Sequence, residues 1–250
     1  MSKKRVSLTL KHDIVGRLDA EADKEGINRS QLVENILESY FNSKAIDTAV
    51  VFCGDKDLKA LREYQGRPVL EHVLTHLAEE NISRVFLLVG PNSDKIREEF
   101  GSRYDGLQLS YVSEEAPSGT ANALKKVSDE ISSTFIAVNG HVVTDVDMQE
   151  MLEIHRDESS VSTMALTSVE DPSGYGVVRL KGRRILGFEE KPESYENLSR
   201  LINAGTYVFD PEIFDQLDSN SLENAFEELA EKNSLSGYIY GGKWKDISRV

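Results

Sequence analysis

From Arg5 to Leu10 the chain alternates strictly, with Val6, Leu8 and Leu10 on one face and Arg5, Ser7 and Thr9 on the other, the period of a short β-strand. The spacing then lengthens to four. Ile14, Leu18 and Ala22 predict a helix, and Gly26 stands where a glycine would stop it. Asn28 offers an N-cap with Gln31 as its capping-box partner, opening a second helix that carries Leu32, Ile36, Leu37 and Phe41. Residues 1–44 therefore read as strand, helix, turn, helix. After the polar stretch Asn42 to Asp47, a second domain is expected over 48–250. It opens with the apolar run Ala49–Phe52, followed by a helix pattern over Val69–Glu80, a run over Arg84–Val89 and a helix pattern over Ser93–Phe100. Runs over Leu107–Val112 and Thr134–Val138 come next. Apolar runs of this length, buried on both faces and separated by helices, predict an α/β domain with parallel strands.

A lone strand leaves its backbone donors and acceptors open, and two short helices enclose little core. Pairing the strand with its copy in a second chain answers both problems, so a homodimer is expected, with a two-stranded ribbon covered on one face by helices. The other face would present Arg5, Ser7 and Thr9 twice. A ribbon of that width fits the major groove of double-stranded DNA, where such side chains pair with base edges. The net charge of -14 argues against a chain coated in nucleic acid, yet the first eleven residues hold Lys3, Lys4, Arg5 and Lys11 and no carboxylate. The segment Arg-Val-Ser-Leu-Thr-Leu, with Gly26 and Asn28-Arg29-Ser30-Gln31-Leu32, closely resembles the ribbon-helix-helix family of repressors and antitoxins. That resemblance implies that the strand reads bases and that backbone amides of Asn28, Arg29 and Ser30 meet a DNA phosphate. A dimerisation clip without DNA contact stays open as the other reading, because Asp19, Glu21, Asp23 and Glu25 make the first helix acidic.

With 250 residues and 39% hydrophobic content there is room for one sizeable domain and a small one. No apolar run approaches the roughly 20 residues that cross a bilayer, and Met1 to Lys4 lacks a signal-peptide character. Cys53, the single cysteine, cannot form an internal disulfide and reads as a buried thiol. A cytoplasmic protein with no membrane contact is the expectation.

Several motifs in the larger domain carry a second resemblance. They are Gly66-Arg67-Pro68-Val69-Leu70-Glu71, Pro117-Ser118-Gly119-Thr120-Ala121, Asn139-Gly140, Phe188-Glu189-Glu190-Lys191-Pro192, Ile202-Asn203-Ala204-Gly205-Thr206-Tyr207 and Trp244-Lys245-Asp246-Ile247. In this order, from about Thr48 to Val250, they look like the sugar-phosphate nucleotidyltransferases, which make nucleotide sugars and pyrophosphate from a nucleoside triphosphate and a sugar 1-phosphate. The resemblance implies a Rossmann-like fold with a mixed, mostly parallel sheet. It also implies a nucleobase loop at Gly119 and Thr120, contacts to a nucleotide or sugar phosphate from Gly140, Glu190, Lys191, Asn203 and Gly205, and a metal ligand at Asp246.

Two departures bear on catalysis. The family's glycine-rich loop, whose amides and arginine cradle a triphosphate, is replaced by Phe52-Cys53-Gly54-Asp55-Lys56-Asp57-Leu58, with carboxylates where phosphates would lie. The family's first magnesium carboxylate is also replaced, by His141 in Asn139-Gly140-His141. Imidazole suits a transition metal or a structural hydrogen bond better than magnesium. No catalytic residue is assigned and no cofactor is expected, magnesium entering only if transferase activity survives. The reading is a DNA-binding transcriptional regulator whose second domain is catalytically inactive and senses a nucleotide or sugar phosphate. Alternatives are an active, divergent sugar-1-phosphate nucleotidyltransferase dimerised through its first module, and a scaffold that contacts a protein partner.

Overall fold

A computed structural model describes residues 6–44, 46–91, 93–114, 118–192, 199–218 and 220–249. The chain divides into two compact units, Met1–Ala45 and Ile46–Val250.

In the first unit, helices α1 (His12–Glu25) and α2 (Arg29–Lys44) form where the four-residue spacing places them. Gly26 adopts the left-handed conformation, φ 69° and ψ 26°, and its N–H turns back to the carbonyls of Ala22 and Asp23. The capping box is complete: Gln31 N donates to Asn28 Oδ1 at 3.0 Å and Asn28 N donates to Gln31 Oε1 at 3.2 Å. Residues 6–11 are irregular, so the expected strand is not formed within one chain. A ladder needs a second strand, and none of the described residues of this unit supplies one. Val6 and Leu8 stay 73% and 62% exposed.

The second unit contains β1 (Thr48–Cys53), β2 (Glu63–Tyr64), β3 (Arg67–Pro68), α3 (Val69–Glu79), β4 (Arg84–Val89), α4 (Ser93–Phe100), β5 (Arg103–Tyr104) and β6 (Leu107–Ser113). Then come α5 (Thr120–Lys125), β7 (Phe135–Asn139), β8 (Val142–Thr144), α6 (Met148–Glu158), β9 (Ser162–Ser168), β10 (Gly176–Lys181) and β11 (Arg184–Glu190). The remainder is β12 (Leu201–Phe209), α7 (Leu222–Glu231), β13 (Leu235–Ile239) and β14 (Trp244–Asp246).

Ten of these strands form one mixed sheet in the order β10-β11-β13-β9-β12-β7-β1-β4-β6-β5. The block β7-β1-β4-β6 is parallel, as the apolar runs predict, while β12 lies antiparallel between β7 and β9. Strand β1 shows why both faces must be apolar. Ala49, Val51 and Cys53 join the core with α3, α4 and α6, whereas Val50 and Phe52 join the opposite core with α5 and α7. No helix among the described residues is long and apolar enough to cross a membrane.

Candidate functional site

In open α/β sheets the crevice beyond the carboxyl ends of parallel strands is where ligands bind, because loops and helix starts converge there. Here a cavity of about 640 Å³ occupies that place. Gly54 and Asp55 follow β1, Leu88 lies near the end of β4, Glu114 follows β6, and Asn139 ends β7, all on the cavity wall. The register of β12 slips between Asn203 and Tyr207, and this bulge turns Asn203, Ala204 and Gly205 toward the cavity.

Most residues expected at a ligand are brought together: Gly119, Thr120, Glu190, Lys191, Asn203, Gly205 and Asp246 line the cavity. Their local bonding refines their roles. Gly119 has φ 100°, and a Cβ there would run into the Asn220 carbonyl, so the glycine is demanded by packing as well as by any ligand. Thr120 Oγ1 accepts the Leu222 amide at 3.0 Å, which leaves its hydroxyl hydrogen to donate. Asn203 spends its amide internally, donating to Tyr207 Oη at 2.7 Å and accepting from Gly205 N at 2.9 Å. It therefore positions the bulge and keeps only its second hydrogen and lone pair for any ligand. Lys191 pairs with its neighbour Glu190 at 3.0 Å.

Gly140 is not on the cavity wall. Its N–H donates to Phe52 O at 2.9 Å, and a Cβ would lie 2.6 Å from Cys53 Sγ, so the residue is a glycine because two strands meet there. Cys53 is buried, and burial pushes its thiol far above the usual range. Pro117 lies outside the described residues.

At the other end of the cavity, β14 pairs with β8 so that Asp246 faces Val142, next to His141. His141 Nε2 lies 4.0 Å from Asp246 Oδ1. Burial holds the imidazole below its ordinary value, Asp246 opposing this and Lys59 adding to it. Asp246 Oδ1 also accepts the Ser248 amide at 2.8 Å. Magnesium is held through one or two carboxylates, with waters and substrate phosphates completing its octahedron of oxygens; here one position is the Asp246 carboxylate and the other an imidazole, a poorer ligand for that ion. Among the described residues no cluster of three or more His, Cys, Asp or Glu could hold a metal ion. Asp55 Oδ1 accepts the Lys59 amide at 3.0 Å, capping the 3₁₀ turn Lys59–Leu61. The glycine cradle is thus replaced by a carboxylate-capped turn.

Several lining residues escaped sequence reading: Glu114, Tyr175, Glu223, Lys59 and Arg249. The Arg249 guanidinium sits 4.3 Å from the Tyr175 ring centre and donates to Gly174 O at 2.8 Å. Glu114 had a usable signal, since it directly follows a parallel strand. Carboxylates on the wall (Asp55, Glu114, Glu190, Glu223, Asp246) outnumber the cations Lys59, Lys191 and Arg249.

In the first unit, Ser7, Thr9, Lys11, Asn28, Arg29 and Ser30 are exposed, whereas Lys3, Lys4 and Arg5 lie outside the described residues. Arg29 is not a free cation. Its Nε and Nη2 reach the two Asp19 oxygens at 2.5 and 2.7 Å, so any phosphate contact by its side chain must compete with that pair.

Comparison with known proteins places both units. The pattern of the family "Ribbon-helix-helix protein, copG family" matches residues 4–42, and that of "Nucleotidyl transferase" matches residues 55–249. Mannose-1-phosphate guanyltransferase beta-B of Xenopus laevis is 31% identical over 201 residues, covering 76% of this chain and 55% of its own length. The mannose-1-phosphate guanylyltransferase catalytic subunit beta of Danio rerio is 32% identical, with the same coverages. The chain thus spans about half the length of these relatives. Among solved structures, UDP-glucose pyrophosphorylase from Acinetobacter baumanii superposes with a TM-score of 0.71 at 17% identity, over 81% of this chain and 88% of that one. HddC from Yersinia pseudotuberculosis complexed with GMP-PN gives 0.68 at 21%, over 81% and 94%. Both show the fold. The chain belongs to the nucleotidyl transferase family through residues 55–249, and it carries a ribbon-helix-helix domain in front of them.

Proposed function

We propose that this protein is a DNA-binding transcriptional regulator, in which a ribbon-helix-helix homodimer grips double-stranded DNA while the nucleotidyltransferase domain binds a nucleotide or sugar phosphate and transfers nothing. The observation that carries it is the first unit's surface: Val6, Leu8 and Leu10 are exposed in alternation with Ser7 and Thr9, ahead of two helices fixed by Gly26 and the Asn28–Gln31 box. Such a row has no use in a monomer and becomes a ribbon when doubled. The capped turn at Asp55 and the His141–Asp246 pair support binding without transfer, because in-line phosphoryl chemistry needs a cradle and charge neutralisation. Regulation requires that the ligand favour one dimer arrangement over another.

Selection of bound fragments from random DNA at two salt concentrations tests the proposal. A motif that persists as salt rises, and loses its base preference in Arg5→Ala, is the expected result. A monomeric protein, or one that holds all duplexes equally, overturns it. The relatives' names, with Lys59 and Arg249 on the cavity wall, favour a second reading, an active sugar-1-phosphate nucleotidyltransferase. Steady pyrophosphate release from nucleoside triphosphate and sugar 1-phosphate, abolished by Asp246→Ala, would establish that reading instead.

A further inference from the structure

Arg249 is an exposed cation on the cavity wall, and its seat is built from several directions. Arg62 Nη1 donates to the carbonyls of Ile247 and Ser248 at 3.2 and 3.3 Å, which ties the backbone leading into Arg249 to the 3₁₀ turn Lys59–Leu61. The Arg249 guanidinium lies 4.3 Å from the centre of the Tyr175 ring and donates from Nη2 to Gly174 O at 2.8 Å. A Cβ at position 174 would occupy the space of the guanidinium, so a glycine there opens the seat. Tyr175 is braced in turn, edge-on against Trp244 at 5.5 Å. A guanidinium is a planar fork of N–H donors matched to phosphate oxygens, and stacking sets its plane before a ligand arrives.

This seat adjoins the His141–Asp246 pair. Burial raises the Tyr175 hydroxyl, with the Asp246 charge adding and the Arg249 charge opposing, so the three groups share one corner of the cavity. Lys59 belongs to the same corner, since its charge joins burial in holding His141 below its ordinary value. Its backbone is fixed by the 3.0 Å bond from Lys59 N to Asp55 Oδ1.

We propose that Arg249 binds the diphosphate group of the nucleotide directly and without a divalent metal, with Lys59 as a second cation. This rests on the nucleotide-binding reading above and adds to it the residue that takes the phosphates and the means by which their charge is met. A carboxylate and an imidazole hold magnesium poorly, whereas a guanidinium and an ammonium bring positive charge and N–H donors to phosphate with no metal between them.

Calorimetric titration of the intact protein with GDP, UDP and inorganic pyrophosphate, each in EDTA and in millimolar magnesium, tests this. The ligand that binds tightest should bind as tightly in EDTA as in magnesium. Arg249→Gln should weaken that binding roughly 10- to 100-fold, the loss expected for charge-assisted hydrogen bonds, with the melting temperature of the second unit unchanged. Arg249→Lys keeps the charge and loses the fork, and should recover part of the affinity. Gly174→Ala, which unseats the guanidinium and leaves its charge in place, should also weaken binding in EDTA. Binding that requires magnesium, or that is unchanged in Arg249→Gln, overturns the inference while leaving the nucleotide reading intact. Pyrophosphate that binds as tightly as either nucleotide, and loses affinity in Arg249→Gln, keeps the Arg249 site and overturns the nucleotide reading. If none of the three binds, both fall.

Discussion

In the second unit Phe135, Phe209 and Phe226 are sealed from solvent, Phe209 and Phe226 stacking on Tyr207 and Phe135 tilting against Phe209, whereas in the first unit Ala22 and Leu32 are buried while Leu8, Ile36 and Leu37 remain exposed. One region completes its core with its own residues, and the other presents an apolar row that only another surface can cover. The difference separates two kinds of stability. The larger domain's should be independent of protein concentration, and the smaller unit's should fall on dilution if a second copy covers it.

The largest effect is expected from Phe209→Ala. Removing a ring that stacks 5.3 Å from Tyr207 should cost the second unit about 3–5 kcal/mol, seen as a lowered calorimetric transition with the first unit's transition unmoved. If both transitions shift together, the contrast between the two units is broken. A smaller effect should follow Asn28→Ala, which takes away half of the capping box. About 1 kcal/mol should be lost from the first unit alone, measured by denaturation at fixed concentration. The smallest effect is a pH dependence in the second unit. His141 is held below its ordinary value of 6.5 in the folded state, so the unfolded chain takes up the proton first as pH falls. Stability should therefore decline as acidification passes through the ordinary histidine range, and level off below the folded value. Melting curves between neutral and mildly acidic pH should show this decline reduced in His141→Gln.

Local chemistry explains how much of this was legible. Gly26, Asn28 and Gln31 act within a few positions of one another, so their cap could be read directly, as could the apolar run Arg84–Val89 that became β4. The pairing of Arg29 with Asp19, ten residues away across a helix turn, could not. Strand β9 was equally opaque, because Ser162, Thr163 and Thr167 are polar yet buried, and no hydrophobic period marks it. At the candidate site, motif resemblance located the cavity wall but not the work of each residue. Asn203 proved committed to Tyr207 and Gly205, and Gly140 to Phe52, through hydrogen bonds set by the bulge and by strand packing. Glu114 gained its setting from Ser118 and Lys126, which an isolated acidic pair after a strand does not reveal.

Trp244 lines the cavity, donates its indole N–H to Ala204 O at 2.9 Å and meets the Tyr175 ring edge-on at 5.5 Å. It is also the single tryptophan of the chain. Indole emission from the unmodified protein therefore originates at one wall of the cavity, giving an optical gauge of occupancy that needs no attached dye and carries no signal from the ribbon-helix-helix unit.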